Sequence, residues 1–151
     1  MAERQRKDDD AMGVITINII WDGINEVLNH NFPEVPIVEE ISPELEKPYF
    51  LIKLLQGWQA QELGRRYRRT YSFDIHYFAV NNRESHSMAE QLYGIMGLIE
   101  IDGAKYRGMN MSHEVIDGVL HFNVDYSFDL KQEIQEYPLM QTMEQEGYVR
   151  G

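Results

Sequence analysis

The sequence contains no cysteine. Disulfides, thiolate metal sites and cysteine nucleophiles are therefore excluded, while the redox compartment stays open, because a cysteine-free chain is stable in either. There is no apolar run near the roughly 20 residues that a membrane-spanning helix needs. The opening stretch MAERQRKDDDAMG carries charge without the apolar segment of a secretory signal. Positive charge is scarce: 14 Lys and Arg stand against 25 Asp and Glu, for a formal net charge of −11 and a pI near 4.8. A field of that sign repels polyanions at long range, which disfavours general nucleic-acid binding but leaves a local basic contact open. Glycine-rich phosphate loops, zincin motifs and nucleophile elbows are absent. Proline is confined, with four of the five residues lying between Pro33 and Pro48.

What is present suits one domain. A chain of 151 residues can bury about 68–70% of its unfolded surface around a single core. Hydrophobic and charged contents of 43% and 26% are those of a soluble globular protein. Residues 1–13 read as a charged flexible leader. Its Ala11-Met12-Gly13 end resembles a cloning junction, and both a native and an appended origin stay open. Residues 14–137 form the expected domain, and 138–151 a C-terminal docking tail with one short helix.

Hydrophobic spacing sets the elements. Ile17, Ile20, Trp21, Ile24, Val27 and Leu28 fall on one helical stripe, with Thr16 as N-cap and an end near His30. The proline-rich connector admits at most a short edge strand over 37–39. Tyr49 to Gln56 is apolar on both faces, as in a strand covered on both sides, and Gly57 marks a bulge or bend. Tyr67, Tyr71, Phe73, Ile75 and Tyr77 then alternate with Arg66, Arg68, Thr70, Ser72, Asp74 and His76. The two strands predict a long hairpin. NNRESHS reads as a loop, and Ser87 to Glu90 as the capping box of a second helix with Met88, Leu92, Ile95, Met96 and Ile99 on one face. Lys105 to Lys131 predicts a second hairpin turning at Asp117-Gly118, with Leu120, Phe122, Val124, Tyr126, Phe128 and Leu130 inward. The order α–β–β–α–β–β gives an α+β fold: one largely antiparallel sheet of four or five strands with two main helices on one face.

Three constellations could carry chemistry. On the polar side of the sheet, Asp74 and His76 on one strand and His121 and Asp125 on another could converge on a metal, as in a metal-dependent hydrolase. The bland alternative is the wet face of a half-buried antiparallel sheet, which alternation alone produces. Glu84 to Ser87 and Ser112 to Glu114 each set a histidine beside a hydroxyl and a carboxylate, but triads converge in space rather than in sequence. The third is ELGRRYRR, where Arg65, Arg66, Arg68 and Arg69 flank Tyr67. Interleaved arginine and tyrosine can bind single-stranded nucleic acid, can simply be solvated, or can form a protein contact. The acidic remainder of the chain opposes polyanions, a hairpin tip is a poor stacking platform, and guanidinium groups favour bidentate carboxylate contacts. A protein contact is the preferred reading. In the tail, Leu139, Met140 and Met143 with Tyr148 suggest an adaptable docking segment.

INIIWDGINEVLNHNFPEVPI (Ile17 to Ile37), FLIKLLQGWQAQELGRRYRRTYSFDIHYF (Phe50 to Phe78), DGVLHFNVDYSFDL (Asp117 to Leu130) and MQTMEQEGYV (Met140 to Val149) together resemble the tail terminator proteins of long-tailed phages and prophages of Gram-positive bacteria, with similar proteins in phage-tail-like bacteriocins. The resemblance spans nearly the whole chain after residue 13 and rests on extended pattern, above all QELGRRYRR and MEQEGYV. It implies a structural protein of the virion or tail-like particle, assembled in the bacterial host cytoplasm and placed at the head-proximal end of the tail. There it would form a ring, of six copies, that caps the tail tube and stops its growth. Implied partners are further copies of the chain, the tube protein, the neck, collar or connector, and the sheath protein if the tail contracts. No enzymatic activity, cofactor, metal, membrane or specific nucleic-acid binding is implied, though DNA could pass through the ring.

Overall fold

The computed structural model describes residues 16–131. The leader and the docking tail, with Leu139, Met140, Met143 and Tyr148, lie outside the described residues.

Helix α1 (Ile17–Asn31) begins where expected: the Thr16 hydroxyl accepts from the Ile19 amide at 3.3 Å. Ile20, Ile24 and Leu28 are fully buried along its inner stripe. The proline-rich connector contributes β1 (Ile37–Val38), which lies parallel to the start of β2 (Tyr49–Gln61). Strand β3 (Arg66–Phe78) closes the first hairpin. Helix α2 (Asn82–Ile95) follows, then β4 (Leu98–Ile101), β5 (Ala104–Ile116) and β6 (Val119–Lys131).

The sheet has six strands, ordered β1-β2-β3-β6-β5-β4. It is thus antiparallel except at β1, and larger than the four or five strands expected. The element order is α–β–β–β twice. The strand missing from the sequence reading is β4. Ile99 shares a helical spacing with Leu92 and Ile95, yet the helix ends at Met96 and the chain turns at Gly97. The start of α2 also differs. Asn81 is the cap, its side-chain oxygen accepting from the Glu84 amide at 2.9 Å, so the helix begins five residues before Ser87 and buries Ser85 completely.

Both helices cover one face of the sheet. Beneath them lie Phe50, Ile52, Phe73, Ile75, Tyr77, Leu120, Phe122, Val124 and Tyr126, all buried. The two hairpins join through β3 and β6, paired from Arg66↔Lys131 to Phe78↔Val119. A close approach locks α2 to this centre. The fully buried Tyr126 hydroxyl donates to the Met96 carbonyl at 2.7 Å, and burial pushes its phenol well above the ordinary range. The same carbonyl presses on Gly108, where a Cβ would collide with backbone, and the Gly108 amide bonds the Gly97 carbonyl at 2.8 Å. On the opposite face a smaller apolar cluster, Tyr49, Leu51 and Phe78, is packed by Val38, Leu45 and Val119. That cluster explains the double-sided hydrophobicity at the start of β2.

Candidate functional site

The β2–β3 hairpin is two structures in one. Its base is buried on both faces from Tyr49 to Ile52 and from Phe73 to Phe78. Its distal half, Lys53 to Arg69, is mostly exposed and forms a finger. Leu55, Trp58 and Leu63 are exposed on it, Leu63 at 93%. The bulge expected at Gly57 sits at Leu55, where the pairing slips between Leu54 and Gln56. Gly57 has a different job: the Tyr71 ring lies across it so closely that a Cβ there would come within 2.9 Å of the ring.

The structure divides the arginine cluster. Strand alternation sends Arg69 to the helix-covered face and Arg66 and Arg68 to the other, while Arg65 sits in the turn. Arg69 donates to the Gln59 side-chain oxygen from Nε at 2.9 Å. Arg68 approaches Glu62 at 3.3 Å and Asp129 at 3.6 Å. Such exposed pairs add little stability but orient the side chain. Arg65 and Arg66 have no carboxylate partner among the described residues and are exposed. The finger therefore presents at its end exposed positive charge that no described carboxylate pairs, with partnered arginines behind it. Tyr67 is half-buried, opposite Leu130 of β6.

One feature escaped the sequence reading. The aromatic core continues outward along the finger: Tyr71 meets Phe73 and Phe128, and Phe128 meets Tyr106, with ring centroids 5.8–6.5 Å apart. Phe73 is fully buried against Trp21 of α1, whereas Tyr71, Phe128 and Tyr106 are only half-buried. The alternation of β3 and β6 signals the row, but not where its cover ends.

The polar constellation is not a wet face. Asp74 and His76 are 7% and 8% exposed. Pairing sets His76 opposite His121 and Asp74 opposite Asn123. Both imidazoles reach one carboxylate oxygen, Asp74 Oδ2, from His76 Nε2 at 2.9 Å and His121 Nδ1 at 3.2 Å. Burial raises the Asp74 carboxyl, but the hydrogen bonds and charge of His76 and His121 outweigh it and hold the group below its ordinary value. Asp125 does not join them. The β5–β6 register slips between Met109 and Ser112, and Asn110 at the slip donates to Asp125 at 3.0 Å. The two short histidine motifs also make no triad: His113 bonds the Tyr93 hydroxyl at 2.8 Å, and His86 lies beside its ring.

Among the described residues no helix is long and apolar enough to cross a membrane. A family model described as phage tail terminator protein matches residues 19–138. No curated protein matches the chain. One solved structure is 13% identical to this chain, covering 81% of it and 99% of its own length, with a TM-score of 0.42.

Proposed function

Because the chain belongs to the phage tail terminator family, and is thereby a structural component of the tail rather than an enzyme, we propose that it closes the head-proximal end of the tail tube as a ring of six copies. The ring stops tube polymerisation and joins the tube to the neck or collar, and holds the last sheath ring if the tail contracts. Its setting is a phage or phage-tail-like bacteriocin particle of Gram-positive bacteria, assembled in the host cytoplasm. The observation that carries the reading is the family match over residues 19–138.

The finger supplies a contact for such an assembly. A closed ring of identical subunits uses two different patches per subunit, each meeting the other type next door. One patch is the finger end with Arg65 and Arg66. The other is the connector between α1 and β2, where Glu34, Glu39, Glu40, Glu44 and Glu46 are all exposed. Planar guanidinium groups meeting carboxylates give directional contacts. The exposed Trp58, Leu55 and Leu63 beside them add the apolar area that charge alone lacks. The Arg68 pairs with Glu62 and Asp129 hold the finger in shape, and so are poor candidates for the intermolecular bond. The C-terminal docking segment, with Leu139, Met140, Met143 and Tyr148, serves as a second contact, toward the tube or neck.

The test is complementation. A particle-producing strain lacking this chain is supplied with the Arg65→Glu, Arg66→Glu double variant. Tails of irregular, excessive length are expected while the purified subunit keeps its unfolding midpoint. Tails of uniform normal length would remove the arginines from the account, and uniform tails without the chain at all would remove the capping role.

A further inference from the structure

We propose that Asp74, His76 and His121 form a binding site for one divalent transition-metal ion of the zinc type, clamping β3 to β6 at the centre of the sheet. The site is independent of the tail role and needs no catalytic step.

The donor set comes first. Two imidazole nitrogens and a carboxylate oxygen lie within 4.8 Å of one another. Four-coordinate zinc, with bonds of about 2.0–2.1 Å, holds its ligand atoms roughly 3.3 Å apart. The two observed separations to Asp74 Oδ2, 2.9 and 3.2 Å, already lie near that spacing. Nitrogen-rich sets favour zinc, cobalt and nickel, whereas magnesium and calcium prefer oxygen alone.

Placement comes second. His76 and His121 are direct cross-strand partners in the longest pairing of the sheet, with ring centroids 4.2 Å apart. Rigid strands rather than loops hold the donors, so little ordering is required on binding. Asp74 and His76 are buried, while the His121 side chain keeps 22% of its surface exposed, which leaves an entry path.

The third observation is an unmet demand. Among the described residues, Asp74 Oδ1 and Asn123 Oδ1 are buried and find no hydrogen-bond partner. Orphaned buried oxygens are costly and rare. Hydrogen bonding within the trio saturates only Oδ2. A metal on the carboxylate would coordinate Oδ1 or offer it a bound water as donor, and Asn123 stands opposite Asp74 on β6. Charge nearby is mixed: Lys53 stands opposite Asp74 on β2, and Glu114 opposite His121 on β5, both exposed.

The experiment uses the full-length chain stripped with a chelator, then titrated with Zn2+ or Co2+ alone. Calorimetry should give one site, and thermal unfolding should shift upward with free Zn2+, as binding to the folded state requires. Millimolar-range Mg2+ should not shift it. His121→Gln and His76→Gln should each weaken Zn2+ by at least about tenfold to hundredfold. Should these variants fold poorly, the unmodified chain still decides: Co2+ should produce the visible absorption of a four-coordinate site, and Zn2+ should move the ring resonances of His76 and His121 ahead of those of His30, His86 and His113. Absence of Zn2+ binding, binding unaltered in both histidine variants, or resonance shifts confined to other histidines would each overturn the proposal, leaving Asp74 in a purely hydrogen-bonded trio.

Discussion

The base and the finger of the β2–β3 hairpin share two strands, one register and one alternation, yet they obey different rules. At the base, Phe50 and Ile52 of β2 and Phe73, Ile75 and Tyr77 of β3 sit under the helices. Tyr49, Leu51 and Phe78 sit under the connector on the other side. Farther out along the strands, alternation continues, but no layer among the described residues covers it fully. Tyr71 and Phe128 occupy core-facing positions but stay half-covered, and Trp58 is exposed on the opposite face. The difference teaches that pattern decides which way a side chain points, while the lengths of the covering elements decide whether it is buried. A strand that outruns its helices carries a prepared surface into solvent.

Mutations can break or sharpen this contrast. The largest effect belongs to the base. Phe73→Ala or Phe122→Ala removes a fully buried ring and should cost about 3–5 kcal/mol in urea unfolding; a much smaller loss would mean the base is as loosely covered as the finger. Next comes the lock on α2. Tyr126→Phe strips the donor from the buried Met96 carbonyl, and a loss of about 1–3 kcal/mol is expected by the same measurement.

The third is a pH effect. The Asp74 carboxyl is held below its ordinary value near 3.8, so the folded state binds its proton less readily than the unfolded state does. Its contribution is therefore complete above about pH 4–5 and is lost as pH falls through the lowered folded value. Asp74→Asn should lower stability at neutral pH and flatten the acid limb of the stability profile. An acid limb parallel to that of the unaltered protein would contradict this. The smallest folding effect belongs to the finger. Leu63→Ser, at a side chain 93% exposed, should change unfolding free energy by no more than about 0.5 kcal/mol, while weakening assembly.

Much of this arrangement was legible beforehand, and the failures have physical causes. The alternation of β3 and β6 was strong enough to give both strands and their inward faces. Thr16 and the stripe of α1 were equally clear. Strand β4 was missed although its turn carries the same signal as its neighbour: Asp102-Gly103 and Asp117-Gly118 both have positive φ at both residues. Only the second was flanked by an unambiguous strand; the four residues of β4 were absorbed into the helical spacing before them. The first turn of α2 was hidden because Asn82, Arg83, Glu84 and Ser85 are polar, and only the fold shows that Ser85 is buried. The arginines of the finger read as one patch because they are adjacent in sequence, whereas a period of two separates adjacent residues onto opposite faces. Finally, the Asp74 cluster looked like a wet face, since burial in mid-sheet depends on neighbours that alternation does not name.

The central claim, that the finger end grips an acidic flank of the next subunit, is tested most directly by a charge swap read out by sedimentation of the purified protein. Arg65→Glu with Arg66→Glu should reduce the ring population at fixed protein concentration. Adding Glu39→Lys and Glu40→Lys in the same chain should restore it, because the contact is rebuilt with reversed sign. Rings formed at the original level by the arginine variant alone would contradict the account.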